Sequence, residues 1–167
     1  ESPFVYNFSL KCGDDEIKSY FALRKIEAKV INGVPRLCLN GEPYVFTGLL
    51  DQGYFPDGIF LPATSEGYEY DILRCKEMGF NMLRKHIKVE PEVFYHLCDK
   101  LCMVVFQDMV NNGDYAYLRD TVLPTFFSQH KKDGNMHRDP DARAAFLAGM
   151  EATVRQLKNH PCICYWT

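Results

Sequence analysis

Eight polar residues fall where apolar runs of the sequence give out. Asp51 and Gln52 follow "YVFTGLL", Arg84, Lys85, His86 and Lys88 follow "FNML", and Gln107 and Asp108 follow "CMVVF". Carboxylates accept hydrogen bonds from hydroxyl groups, and a guanidinium holds a carboxylate through two parallel bonds. Such a set suits a cavity for a polyhydroxylated ligand, with Asp on hydroxyls and Arg on a carboxylate. Arg84 and His86 share parity, so an extended backbone turns both side chains the same way. Strand ends that meet solvent carry polar residues in any case, so the set points to a site and no single member does. Asp51, His86 and Asp108 are an acceptable mixture for a divalent metal. They lack tight ligand spacing, however, and neither a metal nor a cofactor is read from the sequence.

The elements that must position these residues alternate strand, loop and helix. "YVFTGLL" (44–50) reads as a buried strand, followed by the Gly- and Pro-rich loop "DQGYFPDGIFLPAT". Thr64 or Ser65 then caps a helix with Tyr68, Ile72, Cys75 and Met78 on one face, and Gly79 ends it. A second strand, "FNMLRKH", precedes a helix opened by Pro91 with Val93, Phe94, Leu97, Cys98 and Leu101 inward. "CMVVFQDM" is the third strand. After a long connection at 110–138, read as a functional loop, Asp139–Pro140 starts a helix to about Lys158. Its inward residues are Phe146, Met150, Thr153, Val154 and Leu157, and "CICYW" is the fourth strand.

Nearly continuous apolar strands joined by helices mean a parallel sheet. The predicted fold class is α/β, a partial (β/α)8 TIM barrel of about four strands, since a complete one takes about 250 residues. An open nucleotide-binding sheet is disfavoured because "GLLDQG" lacks the glycine pattern of a phosphate loop. Upstream, "FVYNFSL" and "IKSYFALRKIEAKV" read as strands. Asn32–Gly33 and Asn40–Gly41 are hairpin signals that predict a small hairpin at about 30–43. The expected domains are a short β unit over 1–29 and the half barrel over 30–167.

Aromatic residues in the loops, Tyr54, Phe55, Tyr115, Tyr117, Phe126 and Phe127, could stack on sugar rings or pack the loops onto the scaffold, and packing is the preferred reading. His96 is read as structural, and His130 and His137, among basic neighbours, as a solvated face.

A net charge of −3 gives nucleic acid no electrostatic footprint, and no apolar run reaches the roughly 20 residues of a membrane helix. Seven cysteines without a C-x-x-C pattern are expected to be free thiols. With no basic and apolar leader in "ESPFVYNF", this favours a cytoplasmic setting. The lack of an initiator Met fits a chain cut from something longer.

The stretch "NMLRKHIKVEPEVFYHLCDKLCMVVFQDM" (81–109) resembles the barrel domain of glycoside hydrolase family 2, which includes β-galactosidases, β-glucuronidases and β-mannosidases. The resemblance lies in Arg84 at a strand end, a polar run to Glu90, "FYHLCD" (94–99) and "VVFQD" (104–108). "LCLNGEPYVFTGLLDQG" is similar to the lead-in hairpin and first strand of that barrel. "IKSYFALRKIEAK" is similar to the end of the immunoglobulin-like sandwich before it. Many members carry Ser-His-Tyr-Pro after the Arg. Here Lys85–His86–Ile87–Lys88–Val89 sets the His one place earlier, which marks a divergent subgroup.

The resemblance implies a retaining β-glycosidase with two carboxyl groups about 5–5.5 Å apart. "NHPCICYWT" resembles the lead-in to the family's catalytic Asn-Glu, so both glutamates are expected beyond Thr167 and no catalytic residue within the chain. The implied substrate-binding residues are Asp51, Gln52, Arg84, His86, Lys88 and Asp108. By the same resemblance Arg84 orients the nucleophile while His86, Asp51 and Asp108 contact sugar hydroxyls. The expected partner is a carbohydrate, with no nucleic acid or membrane, and the edge of strand Cys162–Trp166 offers pairing with a second copy. Two alternatives stay open: a non-catalytic module that binds carbohydrate or a subunit, and a small hydrolase or lyase using Asp51, His86 and Asp108.

Overall fold

A computed structural model of the chain describes residues 4–110, 117–127 and 139–167. The chain forms two compact units, residues 1–109 with 156–167, and residues 110–155. In the first unit β1 (Tyr6–Cys12) and β2 (Asp15–Phe21) make an antiparallel hairpin turned at Gly13, and β3 (Ile26–Ile31), β4 (Val34–Leu39) and β5 (Glu42–Pro43) make a second antiparallel sheet. Both Asn-Gly pairs are its turns. Asn32 and Gly33 stand at φ 52° and 79°, Asn40 and Gly41 at 52° and 91°, the double positive φ that Asn and Gly tolerate best.

Four parallel strands follow in the order β6 (Gly48–Asp51), β7 (Met82–Lys85), β8 (Val104–Gln107) and β9 (Ile163–Trp166). Helix α1 (Ser65–Glu77) links the first two and α2 (Glu92–Leu101) the next two. The first parallel strand is shorter than predicted. Residues 44–47 are irregular, because the Asn81 side chain takes up their backbone groups: Asn81 Oδ1 accepts from Thr47 N–H, and Asn81 Nδ2 donates to the Val45 carbonyl, both at 2.9 Å.

Register sorts the strand residues into rows. Leu49, Leu83, Val105 and Ile163 are neighbours across the sheet, as are Leu50, Arg84, Phe106 and Tyr165, and then Asp51, Lys85, Gln107 and Trp166. A register shift between Val105 and Phe106 keeps Tyr165 and Trp166 in their rows. The first row supplies Leu83, Val105 and Ile163 to a core with Tyr68, Ile72, Phe94, Tyr95, Cys98, Met103, Leu157 and Cys162. The third row faces the same way, toward the helices. The middle row faces away, and Leu50, Tyr165 and the Arg84 side chain are about half exposed.

Two helix faces differ from their predicted pattern. Met78, at the very end of α1, is exposed, as is Val93 in the first turn of α2. On α2 the polar-headed Tyr95 and Asp99 are buried instead, because each finds hydrogen-bond partners inside.

In the second unit a π-helical turn at Leu118–Val122 runs into α3 (Leu123–Phe127), and α4 (Pro140–Leu157) has its last two residues in the first unit. The expected loop at 110–138 is therefore helical over its described residues 117–127. Asp139 caps α4 by accepting from the Asp141 N–H at 2.9 Å. Phe146, Met150, Thr153 and Val154 are half-buried and Leu157 buried, as their spacing predicts. Tyr117, Phe126 and Phe127 are exposed, and Tyr115, His130 and His137 lie outside the described residues. Among the described residues no helix is long and apolar enough to cross a membrane. All seven cysteines are free thiols, with Cys38, Cys98 and Cys162 buried.

Candidate functional site

Parity divides the polar residues at the strand ends between two sides of the sheet. On the helix side Lys85 is 1% exposed, and its amine donates to Asp51 Oδ2 at 2.9 Å and to Glu90 Oε1 at 2.6 Å. The Lys88 amine lies 2.9 Å from the same Glu90 oxygen, and the Tyr68 hydroxyl donates to Glu90 Oε2 at 2.9 Å. The buried Lys85 and Glu90 and the partly exposed Asp51 and Lys88 thus balance two carboxylates against two ammonium groups, the condition under which buried charge is tolerated. The Lys85 amine also sits 4.9 Å from the centroid of the Phe94 ring. Burial, then the Glu90 bond, pushes the Tyr68 phenol well above its ordinary range, and burial does the same to Tyr95.

Gly53 is built into this cluster. It stands at φ 66°, and a Cβ there would collide with the Glu90 carboxylate and the amines of Lys85 and Lys88. Its N–H donates to Asp51 Oδ1 at 2.8 Å and its carbonyl accepts from the Lys88 amine at 2.5 Å. Gln107, fully buried, closes the far side. Its Oε1 accepts from the Tyr95 hydroxyl at 2.6 Å, and its Nε2 donates to the carbonyls of Lys88 and Asp108, both at 2.9 Å. The tips of β6, β7 and β8 are thereby tied to one another and to both helices.

The other side carries a smaller, more open group. Arg84 Nε donates to Asp108 Oδ1 at 2.9 Å, with the Arg84 side chain 47% exposed and that of Asp108 6% exposed. The Asp108 bond raises the Arg84 guanidinium above its already high ordinary value. Gln52 Nε2 and His86 Nδ1 are 3.4 Å apart. The His86 N–H bonds to the Asp51 carbonyl and the Asp108 N–H to the Lys85 carbonyl, so both mounts are continuous with the sheet.

Of the six residues predicted to bind substrate, Arg84 is brought to Asp108 and Gln52 to His86, as two separate pairs on the open side. Asp51 and Lys88 are placed in the buried cluster, where Lys85 and Glu90 hold their charged ends. Among the described residues no side-chain hydrogen bond joins Asp51, His86 and Asp108, so the three do not converge as a hydrolytic triad would. The sequence reading missed Glu90, Tyr68 and Tyr95 as members of the cluster. The available signal was parity, since Lys85 falls on the Leu83 side of an alternating strand and needs a buried carboxylate.

A further polar cluster lies at the opposite end of the strands. Asp99 Oδ2 accepts from the Tyr20 hydroxyl at 2.6 Å and pairs with His160 Nδ1 at 2.7 Å, while Asp99 Oδ1 accepts from the Cys162 N–H at 2.7 Å. His96 Nδ1 is 3.0 Å from the Tyr20 oxygen. Tyr20 has a single proton, spent on Asp99, so His96 carries its proton on Nδ1 and donates it to that oxygen. Burial, then Asp99, pushes the Tyr20 phenol well up, and burial holds His96 below the usual imidazole range. With Arg24 donating to the carbonyls of Pro161 and Ile163, this cluster fastens the chain of the β1–β2 hairpin to the foot of β9.

Residues 36–167 match the family described as glycosyl hydrolases family 2, TIM barrel domain. The chain is 27% identical over 173 residues to a β-galactosidase of Pseudoalteromonas haloplanktis, a match covering 100% of this chain and 15% of that protein. The crystal structure of a GH2 β-galacturonidase from Eisenbergiella tayi bound to galacturonate superposes with TM-score 0.73 at 18% identity, over 98% of this chain and 26% of that one. A Bacteroides uniformis β-glucuronidase superposes with TM-score 0.64 at 25% identity, over 91% of this chain and 15% of that one. The chain therefore spans about a seventh of the length of the curated relative.

Proposed function

Because the chain belongs to glycoside hydrolase family 2, we propose that it supplies the sugar-contacting floor of a retaining β-glycosidase. In this reading β6–β9 are the first four strands of an eight-stranded barrel, and residues 1–29 are the end of the β-sandwich domain before it. The observation that carries the reading is the row of strand ends turned away from the helices. The Arg84–Asp108 pair and the Gln52–His86 pair each lie at the carboxyl ends of parallel strands, where barrel enzymes place their working groups.

The chemistry needs one carboxylic acid to protonate the leaving oxygen and one carboxylate to attack the anomeric carbon, after which water hydrolyses the glycosyl-enzyme. The carboxylates at these tips are otherwise engaged: Asp51 and Glu90 on lysines, Asp108 on Arg84. The reacting pair is assigned to sequence beyond Thr167. Arg84 then holds the nucleophile's carboxylate, and Gln52, His86 and Asp108 bond to sugar hydroxyls. Asp51 and Lys88 act from behind, by fixing the backbone that carries Gln52 and His86. The edge of β9 pairs with the next strand of the barrel, and in an isolated chain it pairs with a second copy.

The test is hydrolysis of aryl β-galactosides, β-glucuronides, β-galacturonides and β-mannosides by the full-length gene product, with residues 1–167 run beside it. An active parent and an inert 167-residue chain are expected. A parent inert toward every β-glycoside, or turnover by the purified chain, overturns the assignment.

A further inference from the structure

Strand β9 carries one residue more than its pairing with β8 uses. Val105 pairs with Ile163 and Phe106 with Tyr165, so Cys164 is the extra residue of a bulge. Side chains alternate along a strand, and Ile163 faces the helices. In an unbulged strand Tyr165 would face the helices too, and Trp166 the open side. The extra residue reverses that order, placing Tyr165 in the row of Arg84 and Trp166 in the row of Lys85. The residues after Cys164 take their side of the sheet from this one insertion.

The bulge lies between fixed points. Above it, the Thr167 N–H donates to the Gln107 carbonyl and the Thr167 carbonyl accepts from the Met109 N–H, both at 2.8 Å. Below it, the Cys162 N–H donates to Asp99 Oδ1 at 2.7 Å and the Cys162 carbonyl accepts from the Val105 N–H at 2.8 Å. Arg24 adds a second hold at the foot, with Nε donating to the Pro161 carbonyl at 2.5 Å and Nη2 to that of Ile163. These carbonyls flank Cys162, and Cys164 Sγ lies 4.0 Å from the Pro161 oxygen. A planar guanidinium fixes the spacing of its two acceptors, which a point charge does not. Sliding β9 by one residue to expel the bulge would break both bonds.

We propose that Arg24 is a positioning residue for the glycosidase reaction. It locks the bulged register of β9 and thereby turns the reacting carboxyl that follows this strand toward the sugar rather than toward the helices. The proposal rests on the functional reading above and adds to it a residue from the segment between β2 and β3, at the far end of the sheet. In that reading β9 leads to the carboxyl that gives its proton to the leaving oxygen as the glycosidic C–O bond breaks, while the second carboxylate bonds to the anomeric carbon. A slipped register withholds that proton and leaves the sugar contacts after β6, β7 and β8 in place.

The test uses the full-length protein carrying Arg24→Met, with kcat/KM measured for the 2,4-dinitrophenyl and phenyl β-glycosides of its preferred sugar. Dinitrophenolate departs without a proton, whereas the phenyl group needs one. The expected fall is about a hundredfold for the phenyl glycoside and less than about threefold for the dinitrophenyl one, with inhibition by the free sugar changed less than about twofold. Arg24→Lys keeps one of the two bonds and is expected to shift the ratio about tenfold. An equal fall for both glycosides, or none, overturns the proposal, because loss of folded molecules lowers every substrate alike. If Arg24→Met does not fold, the ratio for Arg24→Lys decides by the same criterion. A wild-type protein without β-glycosidase activity overturns the functional reading and this inference with it, whereas an active one with an unmoved ratio overturns this inference alone.

Discussion

The two sides of the strand tips carry the same kinds of residue and put them to opposite uses. Facing the helices, Lys85 and Glu90 are buried and, with Asp51 and Lys88, form a closed set of opposite charges. Facing away, Arg84 is half exposed and has a single carboxylate partner among the described residues, and Gln52 pairs with His86. A charge that is desolvated and fully paired contributes rigidity and is unavailable to a ligand. A charge with one partner and open donors retains binding capacity. One step along a strand decides which of these a polar residue becomes.

The largest expected effect comes from unbalancing the closed side. Lys85→Met leaves the buried Glu90 and the neighbouring Asp51 short of a cation, and the loss of stability is expected to be about 3–5 kcal/mol by urea denaturation. A loss below about 1 kcal/mol would mean that water reaches the cluster and that the two sides differ less than their burial implies. Arg84→Ala makes the opposite test. Stability should fall by less than for Lys85→Met, because the Arg84 side chain is half exposed although the buried Asp108 loses its cation, while kcat/KM of the full-length protein should fall about a hundredfold through misplaced reacting groups. If Arg84→Ala instead destabilises the protein without affecting turnover, the assignments of the two sides are exchanged.

Gln107 joins the sides, since it is buried among the cluster yet bonds the carbonyl of Asp108. Gln107→Leu removes the acceptor to which the Tyr95 hydroxyl donates and the donor to two carbonyls. It is expected to cost about 2 kcal/mol and to lower turnover as well. An effect on stability alone would show that the mount of Asp108 is held without it.

Much of this was legible in the sequence. The four parallel strands, the two Asn-Gly turns, the helix opened at Ser65 and the Asp139 cap followed from local signals: apolar runs, positive-φ residues and side-chain oxygens ahead of a helix. The polar residues at the strand tips were also visible as a set. Their division was harder to read, although Lys85 and Arg84 are adjacent and of opposite parity. Pairing Lys85 with Glu90 requires knowing how the 86–90 turn folds back, and that turn depends on Ile87 adopting a conformation its residue type disfavours. Asp99 was hidden for a related reason. On a helical wheel it is one charged residue beside a core stripe, and its three partners come from β2 and from the turn before β9.

The cluster around Asp99 gives the smallest test and a control for the comparison, being a buried carboxylate network at the end of the sheet away from the proposed site. Its titration should show in stability and leave sugar binding untouched. Tyr20 is raised in the folded state, so its stabilising share is complete below the unfolded phenol value of about 10 and is lost as pH climbs above it. His96 is lowered, chiefly by burial and then by Lys100, so the unfolded chain takes the proton first. Its share is intact above about pH 6.5 and is lost as pH falls below that. Stability measured against pH should therefore have a plateau with two shoulders. His96→Gln should flatten the acid shoulder, and Tyr20→Phe should reduce the alkaline one, which Tyr68 and Tyr95 share. The slopes decide the matter, because Tyr20→Phe also removes a hydrogen bond and lowers the plateau itself. If either substitution shifts the pH profile of KM in the full-length protein, the two ends of the sheet are coupled, and the separation between structural and ligand-binding clusters fails at that point.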